Sequence, residues 1–383
     1  MSPVKANAAS LRRLREAFHQ NAMTLYIGAG CSVASNIPSW DRLVTELYMN
    51  GIARHTSRFF SVPALVPAVA QWSFARQVIP LEVAARKLRG YYQNDSEVLL
   101  LMKTMLYGLT GYDGRDSLRP EEIQQLLASN STLRAVSSLC RSTVPGQRGV
   151  RSVISYNYDD FLEKSLARYR HQSVWSPVAL QQNVLPIFHV HGYVPAGNRR
   201  GSTLDKIVLT EDQYNRVAQD LYSWQNLVQI HCLSSSVGLM IGLSLTDRNL
   251  RRILDALRNL PQGVEIYALL QYPKPWKLDD HDVDVILGKM RERILNRMEV
   301  GYGSNPMPEL EKPGVRAKIV DAIRAMEKQD LKREELMLNK LGVKVLWYEE
   351  HPEVEKLIGQ ILPKSEKEPA VERRSARKTA RPN

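Results

Sequence analysis

Cysteine is nearly absent from this chain. Three occur in 383 residues, Cys31, Cys140 and Cys232, far apart and without a C-x-x-C pair. That scarcity argues against a disulfide scaffold and a structural zinc, and for a reducing, cytoplasmic compartment. Long apolar runs are missing too. No stretch of about eighteen apolar residues exists, so no membrane span is expected. The first residues, Met1 to Gln20, carry scattered charges and no long apolar centre, which is not the pattern of a signal peptide. A G-x-x-x-x-G-K-[ST] phosphate loop does not occur, so any ATP-driven step belongs to another protein. Internal repeats are lacking as well.

Hydrophobic content is 44%, enough for a sizeable core and too much for global disorder. The formal net charge is +12. The last stretch, Lys364 to Asn383, contributes seven basic against three acidic side chains and has almost no apolar content. It reads as a disordered basic tail, either a solvated end or an electrostatic tether for DNA or an acidic partner. The rest of the surplus is spread along the chain, which suits anionic ligands as well as nucleic acid.

Short apolar runs recur between helical patterns. Thr24 to Ile27, Val150 to Ser155, Ile187 to His191, Val237 to Gly242, Val264 to Leu270 and Val343 to Tyr348 read as six strands. Helical spacing covers Ala8 to Gln20, Asp41 to Met49, Asp159 to Tyr169, Glu211 to Leu233, Leu245 to Leu260 and much of Val283 to Lys340, with a closing helix from Val354 to Leu362. This alternation predicts an α/β fold, Rossmann-like, with a mostly parallel six-stranded sheet and helices on both faces. One domain is expected over 1–363, with helical insertions at about 51–127 and 279–340 and the tail at 364–383.

In open parallel sheets ligands bind at the carboxyl ends of the strands. Four of these ends carry polar or backbone-permissive residues: Gly28-Ala29-Gly30-Cys31-Ser32, Ser155-Tyr156-Asn157-Tyr158-Asp159, His191-Gly192 and Gly242-Leu243-Ser244-Leu245-Thr246-Asp247. Glycines after a strand let backbone approach something a Cβ would push away, often a diphosphate on free amides. Gly28, Ala29, Gly30 and Ser32 are therefore candidates for phosphate binding, with the Ser32 hydroxyl as a donor. Asn157 offers an amide that donates and accepts while staying neutral. His191 offers a group that titrates near neutrality. A turn residue and a buried structural histidine are the other readings of these two. His189 should share the face of His191 if both lie in one strand. Asp247 either caps the next helix or meets the ligand, and Trp40 either packs or walls the site.

These four blocks, in this order, resemble the sirtuin-like family of NAD-binding domains, whose pattern is GAG-x-S, T-x-N-x-D, HG and a late G-x-S, over roughly residues 20 to 350. The resemblance implies NAD+ as substrate, Asn157 and His191 as catalytic residues, Gly28, Ala29, Gly30, Ser32, Trp40, Asp159, Gly242, Ser244 and Asp247 around the dinucleotide, and no metal. Two departures count against protein deacylation. Only Cys232 lies where the deacylases hold four zinc cysteines, and Ser39-Trp40-Asp41 replaces their Asp-Phe-Arg. The chain is similar instead to sirtuin-like effectors of bacterial anti-phage systems. That similarity implies an NAD+ glycohydrolase that depletes the cofactor in abortive infection, acting as a homo-oligomer, with a HerA-type hexameric ATPase as partner. An NAD-dependent deacylase or ADP-ribosyltransferase, and a DNA-associated or nuclease subunit of an ATPase complex, remain the alternatives.

Overall fold

A computed structural model of the chain describes residues 8–56, 80–111, 114–144, 146–259, 263–275, 277–299 and 314–362. The basic tail and parts of both expected insertions lie outside these residues. The strands are β1 (Met23–Ile27), β2 (Val150–Ser155), β3 (His171–Val174), β4 (Leu185–His189), β5 (Val237–Ile241), β6 (Ile266–Gln271) and β7 (Val343–Tyr348). They form one sheet in the order β3-β4-β2-β1-β5-β6-β7, and every pairing is parallel.

The sheet therefore has seven strands, not six. The addition is β3, an edge strand in which only Val174 is buried. His171, Gln172 and Ser173 are half-exposed and polar, so no apolar run marks the strand. Strands β1 and β5, by contrast, are buried at every position, as central strands covered on both faces must be.

The helices in chain order are α1 (Ala8–His19), α2 (Trp40–Thr56), α3 (Leu81–Leu88), α4 (Asp95–Tyr107), α5 (Pro120–Ser129), α6 (Ser131–Arg141), α7 (Phe161–Ser165), α8 (Glu211–Gln219), α9 (Trp224–Ser235), α10 (Arg248–Leu257), α11 (Asp280–Glu299), α12 (Val315–Lys340) and α13 (His351–Gly359). Two expectations change here. The helix over Glu211 to Leu233 is broken into α8 and α9, because the Asn226 amide donates to the Val217 and Asp220 carbonyls and bends the chain back. The helix over Asp159 to Tyr169 shrinks to one turn and a half, α7.

Alternate residues of each strand enter different cores. Leu25, Ile27, Val153 and Ile241 join a large cluster with α1 to α6 and α13. Tyr26, Ile154, Met240 and Ala268 join a second with α9 and α10. After β1 the chain builds β2, β3 and β4 on one side, then crosses to build β5, β6 and β7 on the other. The carboxyl end of β1 is thus the switch point, where a crevice opens between diverging connections. No helix among the described residues is long and apolar enough to cross a membrane.

Candidate active site

The end of β1 and the end of β5 touch each other through bare backbone. The Gly28 amide donates to the Ile241 carbonyl at 3.0 Å and the Gly30 amide to the Gly242 carbonyl at 2.9 Å. A Cβ on Gly30 would lie 2.7 Å from the Gly242 Cα. Gly242 itself has φ of +68°, a region that favours glycine. This contact between two loops itself requires glycine. Within Gly28 to Ser32, Gly28, Gly30, Cys31 and Ser32 spend their amides on protein carbonyls. The Ala29 amide is left as a free donor among the described residues.

Beside this corner lies a cavity of about 440 Å³, within the usual range for small-molecule sites, about 300–1,000 Å³. Gly28, Ala29, Gly30, Trp40, Asn157, Asp159, His191, Gly242, Ser244 and Asp247 all line it. The residues expected to act on one ligand are brought to one space. Ser32 does not line it. Its hydroxyl lies beneath the floor and donates to Asp159 Oδ1 at 3.1 Å.

Asn157 follows β2 directly, and its amide orientation is fixed by chemistry. Its Nδ2 donates to the Gly28 carbonyl at 3.0 Å and to Ser32 Oγ at 3.3 Å. A carbonyl only accepts, so the nitrogen must face it. The donor half is consumed, and Oδ1 remains as the acceptor.

His191 stands in the turn after β4. Its position is enforced by Gly192, whose φ is +104° and whose Cβ would strike Ile207 at 2.9 Å. The ring is enclosed edge-on by Tyr156 at 4.9 Å and Tyr214 at 5.7 Å between centroids. Its Nε2 lies 3.5 Å from Asp247 Oδ2. Burial pushes the imidazole below its ordinary value, and the Asp247 charge offsets part of that. His191 is therefore neutral at pH 7 with a carboxylate placed to welcome a proton. Asp247 has two tasks, since it also caps α10 by accepting from the Leu250 amide at 2.7 Å.

His189 does not share the face of His191. It ends β4, while His191 lies beyond the strand, so the two-residue alternation is broken. The His189 ring turns away from the cavity to Glu163 and the Asn157 carbonyl.

Asp159 is the electrostatic anomaly. Burial pushes its carboxyl up to about 6; donors from Phe161 and Ser32 pull it back, and the charges of Asp160 and Glu163 add to the rise. A carboxyl raised on folding holds its proton more tightly in the native state. The stability this gives is complete at acid pH and is lost as pH rises through about 6. At pH 8 the ionised side chain then costs on the order of 3 kcal/mol. Asp159→Asn keeps an acceptor for both donors and carries no charge. It should be more stable than the native chain at pH 8 by about that amount, with the gap narrowing toward pH 4. Urea unfolding at both pH values measures this; an equal or lower midpoint for the variant at pH 8 contradicts it. Strain of this kind at a cavity wall is typical of functional sites.

Among the lining residues that the sequence did not single out are Tyr156, Tyr214, Glu82 and Arg248. The tyrosines come from β2's end and α8, and nothing local distinguishes them from core aromatics. Arg248 is the one arginine or lysine among the described lining residues, 3.5 Å from Glu82 at the rim. It follows Asp247 immediately, and the only sequence signal was that adjacency. Leu245 has φ of +58°, rare for a branched side chain, and marks the 242–247 loop as held in an unusual shape. Among the described residues no group of three or more His, Cys, Asp or Glu could hold a metal ion.

Residues 151–295 match the SIR2-like domain family. The matched segment contains Asn157, Asp159, His191, Gly242, Ser244 and Asp247, and the loop after β1, the start of α2, Glu82 and Leu106 supply the remaining wall from outside it. The match supports a SIR2-type domain and a sirtuin-type, NAD-related function. No curated protein matches the chain.

Proposed function

We propose that this protein is an NAD+ glycohydrolase, splitting NAD+ and water into nicotinamide, ADP-ribose and a proton. The observation that carries the reading is one cavity presenting a fixed amide oxygen (Asn157), a neutral imidazole backed by a carboxylate (His191 and Asp247) and a buried acid (Asp159). Nicotinamide leaves as a neutral molecule from a cationic glycoside, so the leaving group needs little acid help. The demand is for stabilisation of an oxocarbenium-like ribose. Ionised Asp159, above pH about 6, supplies negative charge in a water-poor wall, where it acts most strongly. Asn157 Oδ1 accepts a hydrogen bond from the attacking water or from a ribose hydroxyl. His191 takes up the proton released as water adds to the anomeric carbon, and Asp247 stabilises the imidazolium. The Ala29 amide and Arg248 are suited to the diphosphate.

His191 works as a neutral base and Asp159 as an anion, so kcat/KM should fall on the acid side below pH about 6 as Asp159 takes up its proton, with protonation of His191 adding to the fall. Asp247→Asn keeps the helix cap but removes the charge that props up the imidazole. The part of its acid limb that belongs to His191 should move to still lower pH, and its plateau should fall roughly tenfold. Nicotinamide release measured between pH 4.5 and 8.5 tests this; an acid limb moved upward would refute the assignment of base.

The proposal extends to an NAD-depleting effector of antiviral defence, acting as a homo-oligomer. Helix α12 supports assembly: over 26 residues only Ile319 and Leu338 are buried, and Met326 and Leu336 are exposed. The anti-phage role and pairing with a HerA-type ATPase draw on the resemblance of the four sequence blocks. Release of nicotinamide from NAD+ by the purified chain, with and without DNA or partner, is the direct test. Transfer of acyl or ADP-ribosyl groups to protein in its place would overturn the reading.

A further inference from the structure

Behind the cavity lies a chain of buried polar groups. Ser173 Oγ, on the edge strand β3, donates to Glu163 Oε1 at 3.1 Å. The same oxygen meets His189 Nε2 at 2.6 Å. His189 Nδ1 reaches the backbone carbonyl of Asn157 at 3.1 Å. Glu163 and His189 are 2% and 1% exposed, and neither lines the cavity.

The donor directions follow from what each atom can do. The Asn157 carbonyl only accepts, so Nδ1 carries a proton. Burial alone would strip the ring of charge, but the Glu163 carboxylate beside Nε2 overcomes it and holds the imidazole above its usual value. The same partner keeps Glu163 below the usual carboxylate range despite its burial. The pair is a buried imidazolium carboxylate. Burying such a pair is expensive, and an apolar pair of similar volume would often stabilise a fold as well or better. What the pair does here is aim a charged donor at one backbone carbonyl.

That carbonyl belongs to the residue whose amide faces the proposed substrate. The Asn157 amide nitrogen is also held, by Ser155 Oγ at 3.2 Å, and its side-chain nitrogen by Gly28. We propose that Glu163 and His189 are positioning residues that set where the Asn157 side chain stands, with β3 steadying the pair through Ser173. The kinetic arm of this inference rests on the glycohydrolase reading, and its structural arm does not. A misplacement of about 1 Å in a reacting group can cost about a hundredfold in rate.

Two substitutions of the full chain separate positioning from packing. His189→Asn places an amide nitrogen near the Nδ1 position and keeps the bond to the Asn157 carbonyl. His189→Gln reaches toward Glu163 in place of Nε2 and leaves the carbonyl without that donor. Both remove the charge, so both should unfold at similar, lowered temperatures. Only the Gln variant should lose about a hundredfold in kcat, with KM for NAD+ little changed. The Asn variant should stay within a few-fold of the native chain. Glu163→Leu fills the same space but leaves Nε2 without its partner and the ring free to turn from the carbonyl, so it serves if the Gln variant does not fold, and its kcat should fall about tenfold. Equal activity in the Asn and Gln variants overturns the inference, as does a full kcat in Glu163→Leu. Crystal structures of the two His189 variants supply a readout without turnover: Asn157 Oδ1 displaced in the Gln variant and unmoved in the Asn variant. An Asn157 side chain unmoved in both refutes the positioning role. A native chain that leaves NAD+ intact refutes the glycohydrolase reading alone.

Discussion

Asn157→Ala should lower NAD+ cleavage by about a thousandfold, close to 4 kcal/mol in the barrier. The expectation rests on how little freedom this amide has. Its nitrogen is bound to the Gly28 carbonyl and to Ser32, so its oxygen can serve the cavity without rearranging. A preorganised acceptor costs nothing to orient at the moment of reaction, which is why its loss falls on kcat more than on KM. The substitution also removes one of the two donors to the Gly28 carbonyl, which keeps the Cys31 amide, at about 0.5–1.5 kcal/mol of stability. Thermal unfolding must therefore accompany the kinetics, with rates compared well below the variant's midpoint. Ser32 keeps its bond to Asp159, so the floor of the cavity retains a hydrogen bond that does not depend on Asn157. A folded Asn157→Ala protein with near-native turnover would remove the amide from the mechanism, and with it the main reason for reading this cavity as a glycohydrolase site.

How much of this was legible beforehand depended on burial. Strands β1 and β5 announce themselves because every residue is buried and most are apolar. Strand β3 does not, since His171, Gln172 and Ser173 lie at a half-exposed edge where no pattern is required. The break between α8 and α9 involves no glycine or proline. It comes from Asn226 reaching back to Val217 and Asp220, a contact nine and six residues distant that periodicity does not register. The polar strand ends could be read in order, and the structure gathers them around one cavity. Their division of labour could not be read. Ser32 looks like a phosphate donor until its hydroxyl is seen to serve Asp159. Two histidines two apart look equivalent until the strand is seen to end between them. Tyr156 and Tyr214 acquire meaning only from the ring they enclose.

The contact between the two loops gives the glycine corner a second physical cause beside room for a diphosphate, and the two can be told apart by measurement. Glycines that make room for a diphosphate would tolerate alanine in the unliganded protein and lose affinity. Glycines that let two loops touch would lose stability with no ligand present. Gly242→Ala should lower stability by about 3–5 kcal/mol. Its left-handed backbone, with φ of +68°, costs a residue with a Cβ roughly 1–2 kcal/mol. The new Cβ would also lie 2.6 Å from the Cys31 nitrogen and 2.9 Å from the Gly30 carbonyl carbon, backbone atoms that cannot swing aside. Gly30→Ala meets the same wall from the other side, 2.7 Å from the Gly242 Cα, and should cost about 2–4 kcal/mol from overpacking. Once one Cβ has parted the loops, the second enters space already opened. The double variant should then be less destabilised than the sum by at least about 1 kcal/mol, the mark of residues in contact. Urea unfolding of the four proteins without NAD+ completes the cycle. Strict additivity, or an unliganded Gly242→Ala of native stability, would return these glycines to the service of the ligand.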